Sequence, residues 1–195
     1  LRNAINFTSP FKEMAANFCD DLDERARKTK SCNLMIPHQG KTIGYNTDYQ
    51  AFIEIFSEIF SENFSENKNR AGHQHAIILG SGPMARTAFY ALQETGLCPE
   101  QMTLYSRSKK LIDDLHFRQF DPEEINQRIE QDPGLTLIDT RPTPPFNSKA
   151  FSLNYGSSKH LQGEKDQSVS ATFSGFALKF LFIQGKKGFE LLTGT

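Results

Sequence analysis

One stretch limits the fold more than any other. A short apolar run, HAIIL (75–79), leads into GSGPMA (80–85) and then into ARTAFYALQETG (85–96). The run has the length and composition of a buried strand. The last segment reads as a helix closed by Gly96. A second β-prone run, QMTLYSR (101–107), follows. Strand, glycine turn, helix and strand in this order predict a βαβ unit inside a parallel sheet. The turn has the G-x-G-x-x-A form, with Gly80, Gly82 and Ala85. The first glycine allows a tight turn, the second lets backbone approach a pyrophosphate, and the small third residue lets helix pack on strand. The helix start then points N–H groups and the positive dipole end at phosphates.

The end of the second strand selects between nucleotides. A site for NAD usually places Asp or Glu there, on the ribose hydroxyls. Here the residues are Ser106, Arg107, Ser108, Lys109 and Lys110, and no acid lies between 101 and 112. Arg107 can stack on adenine and pair with a 2′-phosphate, and the neighbours add donors. The expected cofactor is NADP.

The remaining chain is read from periodicity and turn residues. INFT (5–8) predicts a strand. Residues 11–30 hold no Gly or Pro, and Met14, Phe18 and Leu22 recur every four residues, which predicts helix with one buried stripe. CNLMI (32–36) and KTIGY (41–45) flank PHQG and predict a hairpin. Phe52, Ile55, Phe56, Ile59 and Phe60 predict a helix over 48–63, with Thr47 or Asp48 as its cap. The polar stretch 61–72 reads as a linker. LTLID (135–139) and AFSLNY (150–155) predict strands, and DPEE (121–124) starts a polar helix. Residues 173–194 read as an apolar helix interrupted near Gly185 and Gly188.

Composition narrows the function classes. The 195 residues hold 22 basic and 23 acidic side chains, a net charge of −1. That offers no general attraction to nucleic acid or anionic lipid. No run of 18 apolar residues exists to span a bilayer. The cysteines, Cys19, Cys32 and Cys98, are widely spaced and suggest neither a metal pattern nor a disulfide framework, as in a reducing cytoplasm. The five histidines form no paired metal pattern. A small-molecule substrate and a cytoplasmic location are expected, with no metal.

Reduction of a ketone by a nicotinamide needs a proton donor beside the carbonyl, and a Lys–Asp pair can serve. Lys12 in FTSPFK and Asp48 in GYNTD each sit where a strand or turn meets a helix start. Together with SCNLMI, ILGSGPMARTAFYAL and YSRSKK, in this order, these segments resemble the shikimate dehydrogenase family. That family carries VT-x-PFK, G-A-V-N, G-x-NTD, a glycine-rich turn and an NRT-x-x-R cofactor motif.

The resemblance implies an α/β fold of two domains. A substrate-binding domain would comprise 1–70 and 175–195, and a Rossmann-like NADP-binding domain 71–174. It implies reversible NADPH-dependent reduction of 3-dehydroshikimate to shikimate, in the synthesis of aromatic amino-acid precursors. By position, Lys12 matches the catalytic lysine and Asp48 its partner. Thr8 and Asn33 match residues that bind the substrate hydroxyls, joined by Tyr155 and Gln184. Gly80, Ser81, Gly82, Met84 and Ala85 fall on the diphosphate loop, and Ser106, Arg107, Ser108 and Lys110 on the NADP-selecting motif. The family begins with a further α/β stretch holding the substrate carboxylate. The expectation is therefore a chain lacking that N-terminal part, fused to or associated with an upstream segment. Alternatives are a dehydrogenase of quinate or a related ring acid, and a truncated, catalytically weak nucleotide-binding module.

Overall fold

A computed structural model of the chain describes residues 3–66, 75–107, 110–112, 114–132, 134–141, 146, 150–152 and 167–194. The elements run β1 (Ile5–Asn6), α1 (Lys12–Phe18), β2 (Asp21–Leu22), α2 (Glu24–Thr29), β3 (Leu34–His38), β4 (Lys41–Tyr45) and α3 (Thr47–Glu66). They continue with β5 (Ala76–Leu79), α4 (Pro83–Glu94), β6 (Met102–Ser106), β7 (Lys110–Ile112), β8 (Leu115–Gln119) and α5 (Pro122–Gln131). Last come β9 (Thr136–Asp139), β10 (Phe151–Ser152) and α6 (Gln167–Thr193).

Two sheets form. The first has the order β1-β3-β4-β2. Its β3–β4 hairpin turns through Gln39 and Gly40, both at positive φ (50° and 78°), as a two-residue turn with right-handed strand twist requires. The second sheet has the order β10-β9-β5-β6-β8-β7 and is parallel except where β7 runs antiparallel to β8. The predicted βαβ unit is β5–α4–β6. Strand β6 lies on one side of β5 and β9 on the other, so connections reverse direction at β5. Such a switch point leaves a crevice at the carboxyl ends of the strands.

The span 11–30 departs from its expectation. Helix α1 stops at Phe18, β2 pairs in parallel with β4, and α2 begins afresh. Aspartates cause the break. Asp20 accepts the Thr42 N–H at 2.7 Å and its hydroxyl at 2.8 Å, and Asp23 caps α2 by accepting the Ala26 N–H at 2.7 Å. Such side chains offer the backbone an alternative to helix. The stripe also differs, because Met14 and Phe18 are exposed while Ala15 and Ala16 pack with Ala26 and Cys32. Small side chains meet where Ala15 and Ala16 face α2 and Cys32.

Helix α3 is capped by Asn46, whose Oδ1 accepts the Tyr49 N–H at 3.2 Å, and not by Thr47 or Asp48. Its Phe52 stacks on Phe56 and meets Phe180 of α6 edge-on, with ring centroids 5.2 and 4.9 Å apart. Helix α6 is continuous through Gly185 and Gly188. Phe176, Phe180 and Ile183 hold it in the core shared by α3, α4 and the second sheet. That burial offsets the roughly 1 kcal/mol that each interior glycine costs a helix. Helix α3 also extends to Glu66, through part of the expected linker. The β7–β8 hairpin has no counterpart in the sequence reading.

Candidate active site

Lys12 is the first residue of α1, and its side chain turns inward. It is 8% exposed, Asp48 is 1% exposed, and Nζ lies 2.6 Å from Asp48 Oδ2. Helix dipoles act oppositely on the two groups. Asp48, in the first turn of α3, is stabilised by that helix start, whereas an ammonium at the start of α1 is not. A buried cation there needs the carboxylate.

Backbone pairing fixes both partners. The Lys12 carbonyl accepts the Cys32 N–H at 3.0 Å. The next residue, Asn33, is buried and locked to Thr47. Asn33 Nδ2 donates to Thr47 Oγ1, and the Thr47 N–H donates to Asn33 Oδ1, both at 2.8 Å. Lys12, Asn33 and Asp48 thus share one framework of α1, β3 and α3. Lys12 Nζ also lies 3.2 Å from Met84 Sδ. Met84 belongs to the first turn of α4, so the ion pair adjoins the glycine turn.

The turn has two different glycines. Gly80 has φ +117°, and a Cβ there would lie 2.3 Å from Thr140 Oγ1. Thr140 is fixed because its hydroxyl donates to the Leu79 carbonyl at 2.8 Å. At Gly82, before Pro83, an added Cβ would meet nothing within 4 Å. The first glycine serves the fold, and the second leaves open space at the start of α4. Ala85 is buried in the core.

Ser106 is buried at the end of β6, and Arg107 beyond it is exposed. Lys110 opens β7, and Ser108 lies outside the described residues. Thr8 is exposed, with its carbonyl accepting the Phe11 N–H at 2.8 Å. Gln184 is half-buried on α6. Neither the Thr8 nor the Gln184 side chain hydrogen-bonds Lys12, Asn33 or Asp48 among the described residues. Tyr155 lies outside them. Among the described residues no cluster of three His, Cys, Asp or Glu could hold a metal, and no helix is long and apolar enough to cross a membrane.

No family model matches the chain. The NADP(+) shikimate dehydrogenase of Rhodospirillum rubrum is 36% identical over 106 residues, 54% of this chain and 35% of that protein. Shikimate dehydrogenase 1 from Peptoclostridium difficile matches in structure with a TM-score of 0.64 at 20% identity, over 98% of this chain and 71% of that one. Over about half of its length the chain is similar to the shikimate dehydrogenases. The enzyme of Thermus thermophilus, solved in complex with NADP(H) and shikimate, matches with a TM-score of 0.57 at 20% identity, over 98% of this chain and 73% of that one. At such identity the solved structures show the shared fold. The matched segment spans about a third of the length of the curated shikimate dehydrogenases.

Sequence reasoning missed several residues around the Lys12–Asp48 pair. Arg86 on α4 is 4% exposed; it donates to the Thr29 carbonyl at 3.2 Å and pairs with Glu13 of α1. Asn46 Nδ2 donates to Thr29 Oγ1 at 2.8 Å and Thr87 Oγ1 at 3.2 Å, joining α2, α3 and α4. Arg86 occupies an otherwise apolar helix register beside the turn, and Asn46 directly precedes the helix start. Those were the readable signals. Asp139 closes β9. It accepts Arg141 through two bonds of 2.9 and 2.7 Å and the Phe146 N–H at 2.9 Å. The Arg141 guanidinium lies 4.7 Å from the Phe120 ring centroid. These bonds hold Arg141 and Phe146 at the carboxyl end of β9.

Proposed function

We propose that the chain carries the site of an NADP-dependent dehydrogenase acting on shikimate and 3-dehydroshikimate. The observation that carries this reading is the buried Lys12–Asp48 pair resting against Met84 of the glycine turn. An inward ammonium with one carboxylate partner, beside a dinucleotide-type turn, suits proton transfer coupled to hydride transfer.

The residues present fit the dinucleotide. The open side of Gly82 and the first turn of α4 suit a diphosphate, held by Ser81, Gly82 and Met84, while Gly80 and Ala85 shape the turn. Exposed Arg107 suits a 2′-phosphate, and the resemblance adds Ser106, Ser108 and Lys110 to that motif. When bound, the nicotinamide supplies hydride to a carbonyl carbon or accepts it from a carbinol.

Lys12 donates a proton to the ring oxygen in the reducing direction and takes it back in the other. Asp48 keeps the ammonium in place and can accept a substrate hydroxyl with its second oxygen. Thr8, Asn33, Tyr155 and Gln184 orient the ring. Residues 1–70 and 175–195 act as the substrate unit and 71–174 as the nucleotide unit, in the cytoplasm.

Titration with NADPH and NADH, followed by oxidation assays on shikimate and quinate, tests this. The reading expects NADPH to bind at least about tenfold tighter, the worth of one good charged contact, and shikimate to turn over faster. Faster turnover of quinate would move the assignment to a related ring acid. Nucleotide binding without turnover of either would leave only a binding module.

A further inference from the structure

Two cysteines that the sequence separates by 13 positions meet in the fold. Cys19 ends α1, Cys32 precedes β3, and their sulfurs are 3.8 Å apart. Gly44 of β4 makes the meeting possible. A Cβ there would sit 2.7 Å from Cys19 Sγ and 3.1 Å from Cys32 Sγ, so any side chain would displace them. A disulfide bond is about 2.05 Å long, so the sulfurs need to approach by roughly 1.8 Å. Cys32 is buried and Cys19 half-buried, while Cys98 is exposed and apart from them in sequence.

We propose that Cys19 and Cys32 form an oxidation-sensitive dithiol that hydrogen peroxide converts to an intramolecular disulfide. Exposure sets the order. The Cys19 sulfur attacks the peroxide, the O–O bond breaks, and Cys19 sulfenic acid and water form. The Cys32 sulfur then attacks the Cys19 sulfur; the S–S bond forms, the S–O bond breaks, and a second water leaves with the Cys32 proton. The two thiols lose two electrons and two protons, and one hydrogen peroxide becomes two waters.

The cross-link bears on Lys12. Oxidation removes the Cys19 thiol's hydrogen bond to the Ala15 carbonyl at 3.3 Å. It ties the end of α1 to the residue whose N–H holds the Lys12 carbonyl. Burial raises both thiols, Cys32 to about 12, and Asp20 near Cys19 and Asp23 near Cys32 act in the same direction. Both steps therefore accelerate with pH.

The test treats the full Cys98→Ser chain with hydrogen peroxide at an alkaline pH of about 9, where more thiolate exists. The products are unfolded, alkylated and mapped without reductant. The expected result is a mass lower by about 2 Da, no alkylated thiol, and one peptide linking Cys19 to Cys32 that dithiothreitol separates. The melting temperature should rise by several degrees, since the bond closes a loop of about 14 residues. The unmodified chain, treated alike, should show the same link with Cys98 outside it. Oxygen added to Cys19 while Cys32 still alkylates would overturn the proposal, as would a link between two chains or through Cys98.

Discussion

Lys12 Nζ rests 3.2 Å from Met84 Sδ, so the first helix of the chain touches the glycine turn where it opens α4. Two segments 72 positions apart thereby meet at one point. The ammonium's carboxylate partner is Asp48, at 2.6 Å.

The ion pair should be strongly coupled. Lys12→Met leaves a carboxylate buried without its cation, and Asp48→Asn leaves a buried ammonium. Each should cost about 3–5 kcal/mol in urea unfolding. The double variant should cost clearly less than the sum, because no uncompensated charge remains. Additive losses would show that the two groups do not sense each other.

Asn33→Ala should cost about 2–3 kcal/mol, because it strips both the Thr47 N–H and the Thr47 hydroxyl of their buried partner. The chemical denaturation midpoint checks this. A loss below about 0.5 kcal/mol, the range of ordinary surface changes, would contradict the reciprocal pairing.

The two turn glycines should respond differently to alanine. Gly80→Ala meets both a positive φ and the Thr140 hydroxyl, and should lower stability by about 1–3 kcal/mol. Gly82→Ala has room and should change stability by under about 1 kcal/mol. It should nevertheless weaken NADPH binding at least about tenfold, since the methyl enters the space assigned to phosphate. Thermal melts and nucleotide titration separate the two effects.

The reactivity of Cys32 in the reduced chain should climb steeply with pH. Its thiol is raised to about 12 chiefly by burial, and only the thiolate is alkylated. Below that value the thiolate fraction grows about tenfold per pH unit. The iodoacetamide rate at Cys32, followed by peptide mapping, should therefore keep rising from about pH 8 to 11. A plateau near pH 9 would show a thiol that ionises without a burial penalty.

The parts of the molecule legible in the sequence are those where one local rule dominates. The apolar run ending at Leu79, the turn at Gly80 and Gly82, and the spacing of Phe52, Ile55 and Phe56 each needed only period and turn chemistry. The break at Cys19–Asp23 was not legible, because Met14, Phe18 and Leu22 keep helical spacing while Asp20 binds Thr42, 22 positions away. The inward stripe of α1 was misread for a related reason. The space available to Ala15 and Ala16 depends on α2 and on Cys32, not on the helix itself. Gly185 and Gly188 suggested an interruption of α6 that tertiary packing overrides. In the site, resemblance brought out Lys12, Asn33 and Asp48. Arg86 and Asn46 act by joining separate helices, and no spacing encodes that.

The most direct test follows NADPH formation from shikimate by the native chain and by Lys12→Met, with NADPH affinity measured on both. The account predicts turnover by the native chain, a fall of at least about 100-fold in kcat for the variant, the usual worth of a positioned proton donor, and nucleotide affinity unchanged within about threefold. Undiminished turnover in Lys12→Met, or a native chain that binds NADPH and oxidises no shikimate, would contradict it.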